Sequence, residues 1–119
     1  KTRDSYNVGS IQQKVGIAAI KDQDYAHSIW SRTRENRKLL QNHLDDLGLI
    51  SPPSQSNFLL AHVNNDIGLS AKELYLTLKE MKIYVRHFDG PSLKDHLRIT
   101  VGTQEQNETL VKAIEQVIP

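Results

Sequence analysis

The chain has 119 residues, of which 38% are hydrophobic, and this length allows a single domain with a modest core. Fifteen Lys and Arg balance fourteen Asp and Glu, so the net charge of +1 provides no electrostatic attraction for nucleic acid or for an anionic membrane. The absence of cysteine excludes disulfides, thiolate metal sites and a cysteine nucleophile.

The histidines do not predict a metal site, because none shows the His-x-x-x-His or His-Glu-x-x-His spacing of zinc ligands. They are His27, His43, His62, His87 and His96. The sequence also shows no signal peptide and no apolar stretch of bilayer-spanning length, which favours a cytoplasmic location.

Two helices are predicted in the first 48 residues. Ser10 and Gln13 have the spacing of a capping box at the start of the first helix. Its apolar face is Ile11, Val15, Ala18 and Ala19. A second helix is predicted to begin at 22–24 and to stop at Gly48. Its apolar stripe is Leu40, Leu44 and Leu47, and we expect Trp30 to join that stripe.

A strand, a helix, two strands and a final helix are predicted to follow. NFLLAHV at 57–63 is an apolar run of strand length, and capping boxes precede the two helices. The boxes are Ser70 with Glu73 and Thr103 with Gln106. The order α-α-β-α-β-β-α predicts an α+β fold, a two-layer sandwich with helices on one face of a mostly antiparallel three-strand sheet. We expect one domain over 1–119, with a helical interdomain-type segment at 1–48 and an α/β small-domain core at 49–119.

The two strands before the last helix each carry one arginine among alternating aliphatic residues. They are IYVR at 83–86 and LRITV at 97–101. Antiparallel pairing that matches Val85 with Ile99 places Arg86 opposite Arg98, and a one-residue slip would expose an aliphatic set to water. The helices are expected to cover the aliphatic face. The arginine face is then left without a covering layer from this chain.

Two opposed guanidinium groups repel each other unless an anion lies between them. At about 6 Å the repulsion is about 0.7 kcal/mol in water and about 3 kcal/mol at an effective dielectric near 20. Phosphate and carboxylate fit the planar guanidinium fork, so the shared face predicts an anion site. The alternative is that both arginines are only solvated, or that they pair with acids such as Asp89 or Asp95.

Four segments resemble the C-terminal small domain of the histidinol-phosphate aminotransferase family, which belongs to the fold-type I, class I/II aminotransferases. Three of them are PSQSNFLLAHV at 53–63, KIYVRHF at 82–88 and HLRITVGTQEQNETLVKAI at 96–114. DSYNVGSIQQKVGIAAIKD at 4–22 is similar to the interdomain stretch of the family. The resemblance therefore covers nearly the whole chain, although the Leu-Arg-Ile-Thr-Val-Gly motif identifies the superfamily better than the substrate.

The resemblance implies a transaminase of histidine biosynthesis that exchanges an amino group between histidinol phosphate and 2-oxoglutarate or glutamate. It implies that Arg98 binds the substrate phosphate or carboxylate and that Arg86 helps to bind the same anion. Asn57 matches an asparagine that we expect to hold turn backbone, with a smaller chance of contacting ligand. Tyr6 and Asn7 match a Tyr/Phe-Asn pair, for which a helix-entry role is expected. Aromatic amino acids and threonine phosphate remain possible substrates.

The resemblance also implies what this chain lacks, since the large domain that binds pyridoxal 5'-phosphate (PLP) is absent. The family's PLP lysine follows a Ser or Thr, and the chain contains no Ser-Lys or Thr-Lys dipeptide. We therefore expect no catalytic residue, bound PLP or activity in this chain alone, and Lys1 opening mid-segment fits a fragment. The full-length enzyme is expected to be a homodimer.

Two other functions are open from the residues themselves. A free-standing ferredoxin-like module that binds amino acids fits the βαββα order in part, but the first two helices have no counterpart there. A nucleic-acid binder is disfavoured by the near-neutral charge and by an aromatic content of 6%.

Overall fold

The computed structural model describes residues 7–119, and the chain divides into two compact units, Lys1–Ser31 and Arg32–Pro119. Within the described residues, no helix combines the length and the hydrophobicity that a membrane span requires.

The first unit contains helix α1 (Ser10–Lys21) and the beginning of helix α2 (Gln23–Asp46). The capping box predicted at Ser10 is wrong, because Ser10 is already the first helical residue and Gly9 is the N-cap without a side-chain hydrogen bond. The side-chain amide of Gln13 instead donates to the carbonyl of Val8 at 2.9 Å. Tyr6 lies outside the described residues.

Trp30 does not join the buried stripe of α2, so that prediction is wrong. Its side chain is half exposed, whereas Leu40 and Leu44 are fully buried and Leu47 is partly buried. No described residue of the first unit is buried, so that unit offers no core for the indole. The ring packs edge-on against His27, with 5.1 Å between ring centroids.

The second unit contains one four-stranded sheet in the order β1-β2-β4-β3, in which all neighbours are antiparallel. The strands are β1 (Leu49–Ile50), β2 (Phe58–Val63), β3 (Arg86–His87) and β4 (His96–Thr100). The mixed α+β architecture is as predicted, but the three-strand count is wrong. Strand β1 was missed because two residues cannot show an alternating pattern.

The helices of the second unit pack against one face of this sheet. They are the C-terminal part of α2, α3 (Ala71–Glu80) and α4 (Gln104–Val117), and a 3-10 turn lies at Asn65–Ile67. Their buried leucine, isoleucine, valine and alanine side chains form one cluster with the inward residues of β2 and β4. The main members are Leu40, Leu44, Leu59, Ala61, Leu74, Leu78, Leu97, Ile99 and Ile114.

Both capping boxes predicted for the second unit are confirmed. Ser70 and Glu73 exchange hydrogen bonds at the start of α3, and Thr103 and Gln106 do so at the start of α4. The Ser70 hydroxyl and then its backbone N–H lower the pKa of the Glu73 carboxyl below its ordinary value. The cap of α3 therefore weakens as pH falls through the pKa of Glu73.

The turn after α3 determines where β3 begins. Lys82 adopts a positive φ of 64°, and Ile83 N donates to the Leu78 carbonyl while Lys82 N donates to the Lys79 carbonyl. These two bonds form a Schellman motif that ends the helix. The prediction of a strand that begins at Ile83 is wrong. Residues 83–85 follow the turn without pairing to another strand, and β3 contains only Arg86 and His87.

We predict that Lys82→Gly stabilises the chain by up to about 1 kcal/mol, because glycine adopts positive φ without the steric cost of a Cβ. Urea denaturation measures the change. The control is Lys112→Gly on the exposed side of α4, which should destabilise by about 1 kcal/mol because glycine disfavours a helix interior. Equal destabilisation by both variants would contradict this account of the turn.

Candidate functional site

The register of β3 and β4 places two arginines directly opposite each other. Arg86 pairs with Arg98, and Leu60 on β2 pairs with Arg98 from the other side. The neighbours His87 and Leu97 turn inward, since successive strand residues point to opposite faces. The predicted pairing of Arg86 with Arg98 on one face is therefore confirmed.

This arginine face is the side of the sheet away from the helices of the second unit. The buried cluster takes its sheet members from the inward positions, such as Leu59, Leu97 and Ile99. The alternate positions of β2 and β4 are partly or fully exposed. They are Phe58, Leu60, His62, His96, Arg98 and Thr100. Within the second unit, no helix covers the two guanidinium groups.

Each guanidinium lies over a phenyl ring of the same face. The Arg86 Cζ is 5.0 Å from the Phe88 ring centroid, and the Arg98 Cζ is 5.0 Å from the Phe58 ring centroid. A ring at this distance stabilises the cation through the negative face of its π-system. The two phenyl rings therefore stabilise the two arginine cations.

These two rings were not among the predicted site residues, although the sequence contains a signal for both. Phe88 follows Arg86 by two residues, and Phe58 shares the outward phase of β2 with Leu60. Period-two alternation alone would have placed both rings on the arginine face. It would not have shown the guanidinium contacts, because these depend on the side-chain rotamers.

Neither guanidinium is neutralised by a carboxylate among residues 7–119, where the salt bridges are formed by other cations. Asp89 Oδ1 lies 3.7 Å from Lys72 Nζ and 3.9 Å from His87 Nδ1. Asp95, the other acid considered, accepts a hydrogen bond from Val63 N through its backbone carbonyl. The pair thus presents two uncompensated positive charges to any anion that reaches this face.

Asn57 stands at the entrance to β2 and has an exposed side chain. In the described structure the turn is held by hydroxyls, since Ser54 Oγ donates to the Phe58 carbonyl at 2.7 Å and Ser56 Oγ does so at 3.1 Å. Asn57 contributes its own carbonyl, which accepts from Val101 N at 2.8 Å. The Asn57 side-chain amide was predicted to hold the turn backbone, and the hydroxyls of the two serines do so instead.

Two concave regions lie near the ends of β3. A recess of about 380 Å³ is formed by Arg86, His87 and the loop at 88–93. A second cleft of about 630 Å³ lies between residues 82–85 and the start of α4, and neither arginine lines it. The recess therefore adjoins one arginine of the pair, while Arg98 stays on the open sheet face. Within residues 7–119, no group of three or more His, Asp or Glu could hold a metal ion.

Comparison with known proteins gives one consistent family. The sequence matches the model for aminotransferases of class I and II over residues 1–114. It is 42% identical over 118 residues to histidinol-phosphate aminotransferase 1 from Nostoc sp. The match covers 99% of this chain and 33% of that protein. The chain thus spans about a third of the length of this curated relative.

Solved structures agree with this comparison. The histidinol-phosphate aminotransferase from Clostridium acetobutylicum superposes with a TM-score of 0.82 at 22% identity, which covers 97% of this chain and 35% of that chain. This likeness concerns the fold alone. The enzyme of the same name from Sinorhizobium meliloti, in complex with pyridoxal-5'-phosphate, superposes with a TM-score of 0.76 at 26% identity. The match covers 86% of this chain and 28% of that chain.

We predict that inorganic phosphate stabilises this chain through both arginines. A ligand that binds only the folded state adds about 1.4 kcal/mol at ten times its dissociation constant. Thermal denaturation at constant ionic strength should show this gain for the parent chain and lose most of it for Arg86→Gln and Arg98→Gln. The control Arg34→Gln, at an exposed position of α2, should keep the gain. An equal phosphate effect in all four proteins would contradict the site.

Proposed function

Because the chain belongs to the aminotransferase class I and II family, we propose that it is the C-terminal small domain of a PLP-dependent aminotransferase. Arg98 and Arg86 bind the anionic group of the substrate. The observation that carries this proposal is the register of Arg86 and Arg98, which lie opposite each other on the sheet face away from the helices of the second unit and have no carboxylate partner among the described residues. Asn57 stands at the strand entry beside this face and is the minor candidate for ligand contact.

The substrate proposed is histidinol phosphate as amino donor, with 2-oxoglutarate as acceptor, in histidine biosynthesis. The name of the Nostoc relative at 42% identity supports this choice. Charge supports it as well, since a phosphate dianion balances two guanidinium groups where a single carboxylate balances one. The match over residues 1–114 includes both N-terminal helices, which a free-standing amino-acid module would lack, and so favours the enzyme.

We propose that the PLP site lies outside the described residues of this chain. Every lysine among residues 7–119 is exposed, and no Ser-Lys or Thr-Lys pair occurs in the sequence. PLP, where it is bound, supplies an electron sink for the carbanion. We propose that a large domain of the same enzyme holds this cofactor and that this chain binds and orients the substrate. A cytoplasmic homodimer is proposed for the complete enzyme.

The proposal is tested in a chimera in which this chain replaces the matching third of the Nostoc relative. Arg98→Ala should lower kcat/KM for histidinol phosphate, because one partner of a desolvated charge pair is lost. The loss of transition-state stabilisation should be about 2–5 kcal/mol. This corresponds to about 30- to 5,000-fold. Steady-state kinetics with the amino donor varied measures the loss.

The matched control for this experiment is Arg34→Ala, which removes an exposed arginine of α2 and should leave kcat/KM unchanged. Arg98→Lys should recover only part of the loss, because an ammonium group does not form the bidentate contact of a guanidinium. Unchanged kinetics in Arg98→Ala would remove this residue from the substrate site.

We also predict that the 119-residue chain alone forms no specific covalent adduct with PLP, because its described lysines are solvated and not held against a cofactor pocket. Borohydride reduction followed by peptide mass spectrometry measures this. Low labelling spread over several lysines is the expected result. A stoichiometric adduct at a single lysine would show that this chain carries a cofactor site of its own.

A further inference from the structure

Strand β3 is held by very little of its own backbone pairing. It contains only Arg86 and His87, and residues 83–85 that precede it make no strand pairs. Since successive residues point to opposite faces, Arg86 projects outward and His87 projects toward the helices. Two paired residues hold Arg86 only weakly in a strand where it lies opposite another cation, Arg98.

His87 makes the contacts that the short strand lacks. Its side chain is 7% exposed, and its Nε2 donates to the backbone carbonyl of Lys94 at 2.8 Å. Its ring stacks on Tyr75 of α3, with 5.9 Å between centroids and 26° between planes. His87 therefore ties β3 both to a core helix and to the far end of the loop that leads into β4.

The same loop carries the ring that supports Arg86. Phe88 directly follows His87, and its phenyl lies 5.0 Å from the Arg86 Cζ. The hydrogen bond to Lys94 closes the segment between Phe88 and β4, so the backbone of Arg86 and its supporting ring are both held by one imidazole. Asp89, which lies 3.9 Å from His87 Nδ1, is directed to Lys72 and His87 and not to the arginine.

We propose that His87 is a positioning residue that holds Arg86 opposite Arg98, so that the two guanidinium groups can share one anion. The inference rests on the proposed function, since it concerns the same anion site. His87 itself lies on the opposite face of the sheet and contacts neither the anion nor Arg98. Its effect on binding passes through Arg86.

The test is a double-mutant cycle on the 119-residue chain, with inorganic phosphate as the probe and calorimetric titration as the measurement. His87→Leu keeps the ring volume but removes the donor to Lys94, and it should weaken phosphate binding about tenfold. His87→Gln places an amide N–H near the position of Nε2 and should stay within about threefold of the parent. His43→Leu, at an exposed position of α2, is the matched control and should have no effect.

The decisive comparison is made with Arg86 already replaced. In the Arg86→Gln background, His87→Leu should change phosphate affinity by less than about twofold, because the group it positions is gone. A merely structural role would lower the melting temperature without this coupling to Arg86. If His87→Leu does not fold, Tyr75→Leu removes the stacking surface instead and should weaken binding only while Arg86 is present.

The outcomes separate the inference from the proposed function. If Arg86→Gln alone leaves phosphate affinity unchanged, the two-arginine site itself is wrong. If Arg86→Gln weakens binding but the His87 or Tyr75 variant does not, the site stands and the positioning role is wrong. If the His87 variant weakens binding equally with and without Arg86, the effect is general and the positioning role is also wrong.

Discussion

The structure depends on a register that packing imposes: two arginines lie opposite each other across β3 and β4. Burial of the aliphatic positions on the other face determines this register, because a slip of one residue would expose Leu97 and Ile99 to water. Each such side chain contributes about 1.5–3 kcal/mol when buried, so the two together outweigh a repulsion of about 0.7–3 kcal/mol between the guanidinium groups. The core therefore holds the charges together, and an anion can then relieve their repulsion.

The sequence could predict features that depend on a regular spacing of residues along the chain. Alternation in two strands was enough to place Arg86 opposite Arg98 and to assign them to the uncovered face. Both capping boxes of the second unit were also predictable, since the side chain and the backbone N–H that it caps are three residues apart.

The features that the sequence could not predict depend on single residues or on distant contacts. Strand β1 has only two residues, and Gly48 with a φ of 81° turns the chain so that Leu49 meets Val63. Ser10 fits the capping-box spacing, yet the helix begins one position too early for its hydroxyl to serve as the cap. The stacking of His87 on Tyr75 joins residues of different elements, which no local spacing shows. The roles of Arg98, Arg86 and Asn57 toward a ligand stay predictions.

We propose that catalysis is divided between this chain and the rest of a longer enzyme. We propose that the arginine face of the sheet orients a substrate, and positioning of this kind can contribute several kcal/mol to a reaction. In this proposal, the cofactor chemistry belongs to residues outside this chain. Among residues 7–119, a phenyl ring lies against each guanidinium group and no carboxylate forms a salt bridge with either of them.

Whether Arg86 and Arg98 share one anion is tested most directly by an NMR titration of the arginine Nε–H groups with inorganic phosphate. We expect the signals of Arg86 and Arg98 to shift together, to saturate with one dissociation constant and to report one phosphate per chain, while the signal of Arg34 does not shift. Separate, unsaturable shifts of the two signals, or a shift of only one of them, would contradict a shared anion.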